Sequence, residues 1–151
     1  MTDYVVDSSI LVQGFVRESY SPFVVNLLKT LKTGNRLIVP EIGLTECTNV
    51  LWKHVRFEGV ALEDAREKLA ELNLLPLDVR PVRDILDDSF VIAVKYQLAI
   101  YDCLFIALAK GLKAPLITVD NKQAKAAAGE LVTLKPITDF IPPKSPLLSD
   151  D

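Results

Sequence analysis

The chain has 151 residues, half of them hydrophobic, enough to fill one sizeable core without disulfides or a structural metal. Its 17 Lys and Arg against 20 Asp and Glu leave a net charge of −3, too balanced for a disordered acidic or basic tail protein. A pI near 5.2 argues against a simple electrostatic nucleic-acid binder, so a phosphate substrate would need positive charge from something besides side chains.

The N-terminus carries Asp3 where a signal peptide needs bases, and the longest wholly apolar run, Cys103 to Ala109, is far short of the ~18 residues of a membrane span. Secretion and membrane insertion are therefore not expected. Two cysteines in apolar segments fit reduced, buried thiols in a cytoplasm.

Tyr4 to Val6 reads as a short buried strand stopped by Asp7-Ser8-Ser9. Ser21-Pro22, the stripe Val24, Leu27, Leu28 and Leu31, and Gly34 predict a helix with its N-cap, first-turn proline and terminal glycine. Leu37 to Val39, closed by Pro40, is a second strand. Leu44, Cys47, Leu51 and Val55 then lie on one face of a helix running to about Glu58. Residues 62–74 read as an amphipathic helix, 75–79 as an extended piece interrupted by Pro76, and 83–98 as another helix. An apolar helix from Tyr101 breaks near Gly111 and leads into a buried strand at 116–119. Residues 122–128 are helical, and Leu131 to Leu134 suits a final strand.

Short apolar strands alternating with helices predict an α/β fold of three layers, a central and mostly parallel sheet with helices on both faces. Residues 1–140 form one domain, and the proline-containing stretch 141–151 reads as a loose tail in which Leu147 and Leu148 could dock.

Asp7 and Asp120 each follow a short apolar strand, at the edge where open α/β sheets bind ligands. Asp102 and Glu46 open helices in apolar surroundings where an unpaired charge is costly. Each acid taken alone is equally well a helix cap or a first-turn charge. Four carboxylates at roughly 4 Å spacing would repel by about 1 to 4 kcal/mol per pair. Relief comes from raised pKa values or from a hard divalent cation, and an all-oxygen, histidine-free set suits Mg²⁺ or Mn²⁺ rather than zinc. Such a site polarises a phosphodiester and activates water for in-line attack. Ser8, Ser9, Thr118 and Asn121 flank the acids as neutral groups able to orient them. His54 is read as a helix-surface residue, Trp52 as core or interface packing, and Cys47 and Cys103 as small buried hydrophobes. Arg17, Lys53, Arg56, Lys122 and Lys125 are read first as solvated surface cations.

The ordered pattern of Val5-Val6-Asp7-Ser8-Ser9, Thr45-Glu46, Tyr101-Asp102-Cys103-Leu104-Phe105 and Leu116-Ile117-Thr118-Val119-Asp120 resembles the PIN-domain ribonucleases, especially VapC-like toxins of prokaryotic toxin–antitoxin pairs. The resemblance spans Tyr4 to about Phe140. It implies a metal-dependent endoribonuclease acting on RNA, with Asp7, Glu46, Asp102 and Asp120 as catalytic and metal-binding acids. It also implies a homodimer restrained by a small antitoxin protein. Ser8 takes the hydroxyl position after the first acid, and Asn121 is the polar neighbour of the fourth.

A different class of function competes with this one: a non-catalytic interaction module that keeps the fold and uses its acids as caps. A receiver domain or a haloacid-dehalogenase-type phosphotransferase fits less well. The first lacks a late-strand lysine and a mid-chain phosphoacceptor, and the second wants an acid two residues after Asp7, where Ser9 stands.

Overall fold

A computed structural model describes residues 2–142 of the chain. In chain order the elements are β1 (Asp3–Val6), α1 (Ser8–Leu11), α2 (Ser21–Lys29), β2 (Arg36–Pro40), α3 (Glu41–Glu58), α4 (Leu62–Leu74), β3 (Asp78–Arg80), α5 (Leu86–Tyr96), α6 (Ile100–Leu112), β4 (Leu116–Ile117) and α7 (Asn121–Gly129). The strands form one parallel sheet in the order β3-β2-β1-β4, with Val5 opposite both Ile38 and Leu116.

The period-two alternation of strand side chains sorts the core into two halves. Val5, Ile38 and Leu116 point to the side covered by α5, α6 and α7, where Phe105 and Ile106 are buried. Tyr4, Val6, Leu37, Val39 and Ile117 point to the other side, with Ile10, Val24, Leu27 and Leu72 from α1, α2 and α4. Both faces of β1 and β2 are thus apolar, as a parallel sheet between helical layers requires. This is the three-layer α/β architecture expected, and its crossovers bring the carboxyl ends of β1, β2 and β4 to one edge.

Several boundaries move. A single helical turn, α1, follows β1 at once, because Asp7 caps it by accepting from the Ile10 amide at 3.1 Å. Helix α2 is one α-helical stretch to Lys29 and then a tighter turn to Thr33, ended by Gly34 at φ 107°. Ser21 lies inside it rather than capping it. Helix α3 starts directly after Pro40, three residues before Leu44, so Glu46 sits in its second turn, where the helix dipole helps less. The extended piece near Pro76 becomes a strand only from Asp78 to Arg80. Gly111 does not break α6, which ends when Lys113 turns left-handed.

The final strand expected at 131–134 is not formed. Leu131 has φ 62°, Pro136 offers no amide, and only Leu134 bridges Leu116. Of the expected tail, Ile141 lies on α2, where its carbonyl accepts from Asn26 at 3.0 Å, while Leu147 and Leu148 fall outside the described residues. Phe140 packs edge-on against Tyr4 at 5.7 Å, closing the domain over β1. Among the described residues no single helix is long and apolar enough to cross a membrane.

Candidate active site

Asp7 stands one residue past β1, and Asp120 three residues past β4, where it caps α7 by accepting from the Gln123 amide at 3.0 Å. The caps considered for both acids are therefore present. They account for only one oxygen of each carboxylate. Asp102 lies in the first turn of α6 and Glu46 in the second turn of α3.

The electrostatics place all four on one rim. Asp7 feels Asp120, Glu46 feels Asp102 and Asp7, and Asp102 feels Asp120, so the repulsions close into a ring. Burial, and then Asp120, push the Asp7 carboxyl up to about 6 against hydrogen bonds that pull the other way. Burial raises Glu46 as well, opposed by Ser8 and reinforced by Asp102 and Asp7, and burial with Asp120 raises Asp102. The ring is open. As the side chains stand, no group of three His, Cys, Asp or Glu among the described residues is close enough to hold a metal ion.

Hydroxyls hold the acids in place. Ser8 Oγ donates to Glu46 Oε1 at 3.1 Å, Ser9 Oγ to Asp7 Oδ1 at 2.6 Å, and Thr118 Oγ1 to Asp7 Oδ2. Ser8, Ser9 and Thr118 thus stand where orienting groups were expected. Asn121 does not: it is exposed, and no side-chain hydrogen bond ties it to an acid. Its position one residue after a cap turns it outward on α7.

Gln123 was missed by sequence reasoning. It is 2% exposed, accepts from Thr118 Oγ1 at 3.1 Å and donates from Nε2 to the Asp102 carbonyl at 2.7 Å, while its amide is the one capped by Asp120. One buried residue, through its side chain and its backbone N–H, thus bonds Asp102 and Asp120 and reaches Asp7 by way of Thr118. The signal was there: a glutamine three residues after an Asp cap, in an alanine-rich helix, on the face it shares with Ala126 and Ala127. Thr118 has a single hydroxyl proton for Asp7 and Gln123, so it can serve one at a time. When Asp7 is ionised that proton goes to Asp7. When Asp7 is protonated it can donate to Thr118, which frees the Thr118 proton for Gln123.

The other chemistry-bearing residues stand aside. Burial beside Glu46 lifts the Cys47 thiol to about 12, and burial beside Asp102 lifts Cys103 to about 11, so neither supplies a thiolate. His54 Nε2 faces Glu58 at 3.4 Å, two turns beyond Glu46. Trp52 is not in the core: it is 55% exposed and stacks edge-on against Phe57.

The chain is similar to known proteins in sequence and in fold. The sequence model of the PIN domain matches residues 4–129. Ribonuclease VapC3 of Pyrobaculum aerophilum is 28% identical over 123 residues, which cover 80% of this chain and 92% of that protein. The crystal structure of PAE2754, also from Pyrobaculum aerophilum, superposes with a TM-score of 0.69 at 21% identity, covering 92% of each chain. VapBC2 from Rickettsia felis, solved bound to a DNA fragment from its promoter, gives 0.64 at 17% identity over 89% of this chain and 98% of that one.

Proposed function

Because the chain belongs to the PIN-domain family, we propose that its acidic rim is the active site of a metal-dependent endoribonuclease that hydrolyses RNA phosphodiester bonds. The observation that carries the reading is the ring of four mutually repelling carboxylates at the carboxyl edge of a parallel sheet. A chain gains no stability from such a ring, whereas acids raised by burial and by one another, as Asp7, Glu46 and Asp102 are, suit a catalytic site. The similarity to a named ribonuclease supports the choice of RNA.

Asp7, Glu46, Asp102 and Asp120 would hold Mg²⁺ or Mn²⁺. The donor set fits a hard ion, since it is all carboxylate and the two neighbouring thiols stay protonated. When bound, the ion would supply Lewis-acid polarisation of the scissile phosphodiester and offset its charge against the rim. The chain does the positioning. Ser8 fixes Glu46, and Ser9, the Ile10 amide and Thr118 give each Asp7 oxygen a donor, so these carboxylates are aimed before substrate arrives. Gln123 ties the start of α7 to the first turn of α6 and so keeps Asp120 and Asp102 on the same edge. The same reading makes the chain the toxin of a toxin–antitoxin pair, a homodimer working in the cytoplasm and bound by an antitoxin protein.

Purified protein should cut RNA with Mn²⁺ or Mg²⁺ and not in chelator, and Asp7→Asn or Asp102→Asn should lower the rate by more than the roughly 10–100-fold seen when a supporting residue of a metal site is lost. Mn²⁺ should also raise the melting temperature, because a ligand of the native state stabilises it. Equal cleavage in chelator removes the metal. No cleavage and no Mn²⁺ response would instead return the interaction module whose acids serve as caps.

A further inference from the structure

A cleft of about 500 Å³ opens directly beside Glu46, between α3 and the first turn of α6. On the α3 side, Ile42, Thr45, Glu46, Asn49, Val50 and Lys53 follow one another at spacings of three and one, a single helical stripe. The rest of the lining is Ser8, Ser9 and Val12 from the stretch after β1, and Tyr101 of α6, 57% exposed and next in sequence to Asp102. The two walls are fixed against each other beneath the cleft, where Gly43 brings α3 so near α6 that a methyl group there would touch the Phe105 ring.

The stripe grades from acid to cation. Glu46 belongs to the rim, Asn49 lies one turn on, and Lys53 two turns on, roughly 10 Å along the axis. No hydrogen bond or ion pair among the described residues uses Tyr101 Oη, the Asn49 amide or Lys53 Nζ. An exposed aromatic face, an amide with both donor and acceptor, and a free ammonium are the three groups that hold an unstacked nucleotide. Trp52, the exposed aromatic of α3, lies on the opposite side of that helix with Leu51 and Val55, facing α4.

Resting on the ribonuclease reading, we propose that this cleft seats one nucleotide of single-stranded RNA beside the scissile bond. Tyr101 stacks on its base, Asn49 reads the base edge, and Lys53 meets a phosphate farther along the strand. Duplex RNA is excluded, because its bases are stacked on one another and offer no free face to Tyr101. With one acid and one cation in the cleft, affinity rests on stacking more than on charge. That suits a chain of net charge −3.

The test is binding of a fluorescent single-stranded RNA of about six nucleotides, measured in chelator so that nothing is cut. Tyr101→Ala should weaken binding roughly 5- to 150-fold and Tyr101→Phe by no more than about twofold, since the phenyl ring still stacks. Lys53→Gln should flatten the dependence of log affinity on log salt by about 0.7, the share of one phosphate contact on a single strand. In Mn²⁺, Tyr101→Ala should raise KM for cleavage and leave kcat nearly unchanged. The assignment is overturned if the unaltered chain does not bind the strand, if duplex binds as tightly, or if Tyr101→Ala binds within about twofold of the unaltered chain. It is overturned equally if Tyr101→Ala changes the molecular mass in solution and not the RNA affinity, which would make Tyr101 a subunit contact. Failure of the unaltered chain to cut RNA removes the ribonuclease reading and leaves the binding result standing by itself.

Discussion

Helix α7 begins at Asp120 and ends against Glu130, and the carboxylates at its two ends keep opposite company. At the start, Asp120 faces Asp7 and Asp102 across the rim, and among the described residues no Lys or Arg is paired to any of them. At the end, Glu130 takes Lys95 at 3.0 Å, Lys110 at 2.9 Å and Tyr96 Oη at 2.7 Å. The helix dipole alone would favour the acid at the start and disfavour the one at the end. At the end the neighbours override the dipole. Lys110, Tyr96 and Lys95 hold Glu130 down to about 2, whereas across the rim from Asp120 burial pushes Asp7, which follows β1, up to about 6. One carboxylate is built into the fold as a clamp joining α5, α6 and α7. Asp7, facing the other end of α7 across the rim, is buried at a cost to the fold and serves something else.

The largest effect that can break this contrast is at Asp7. Its folded pKa lies above the usual 3.8, so between about pH 4 and 6 the native state keeps a proton that the unfolded chain has lost. Stability of the metal-free protein therefore falls as pH rises through that window, by as much as about 3 kcal/mol for a shift of this size. Asp7→Asn should abolish the decline and make the metal-free protein more stable at pH 8 by about 1–3 kcal/mol, measured by urea denaturation across pH. Thr118 can accept from the new amide while donating to Gln123, so no buried group is orphaned. The same variant should be inactive. A gain in stability with a loss of cleavage would separate function from folding at one residue. An Asp7→Asn protein less stable at pH 8 would show that the acid is structural and that the rim, like the Glu130 clamp, serves the fold.

How far the sequence reaches differs between the two ends in the same way. The rim was legible because each of its acids is attached to a local pattern: a strand end for Asp7 and Asp120, a helix start for Asp102, and for Glu46 a helix whose start the sequence put three residues too late. The parallel sheet and both helical layers followed from the alternation of apolar strands with striped helices, whereas the order of the strands did not. Of Gln123 only the link to the Asp120 cap has a local signal, and Glu130 has none. Gln123 acts through partners 5 and 21 residues away, and Glu130 through partners 20 to 35 away, and no local period encodes such distances. The strand expected at 131–134 failed for a related reason: apolar composition suits a strand, but the backbone there is committed to ending α7.

A smaller effect should mark the clamp itself. Glu130→Gln removes the charge that three donors share and should lower stability at pH 7 by about 1–2 kcal/mol, with RNA cleavage unchanged. Its pH signature is the mirror of Asp7. Because the folded pKa is depressed below the usual 4.5, the stabilisation is complete above about pH 4.5 and is lost as pH falls toward 2. Acid denaturation should therefore shift less steeply in Glu130→Gln. Gly129 sharpens the point, since the Tyr96 hydroxyl lies where a side chain at that position would begin, and any Cβ there displaces one of the three donors.

The smallest effect tests whether the end of α7 is optimised for stability at all. Leu131 N donates to the Ala128 carbonyl and Val132 N to the Ala127 carbonyl at 2.9 Å, the double bond of a Schellman motif with Leu131 in its left-handed position. Glycine usually stands there, because a branched side chain in that backbone conformation costs about 1–2 kcal/mol. Leu131 is 92% exposed, so replacing it forfeits no burial. Glycine gives back roughly 0.5–1 kcal/mol through its greater freedom in the unfolded chain. Leu131→Gly should therefore raise stability by about 0.5 kcal/mol, at the edge of what paired urea melts resolve, and should leave the pH profile of both carboxylates unmoved. A loss instead would mean that the exposed leucine has a partner, and the face beyond Glu130 would then be a contact surface rather than a plain helix end.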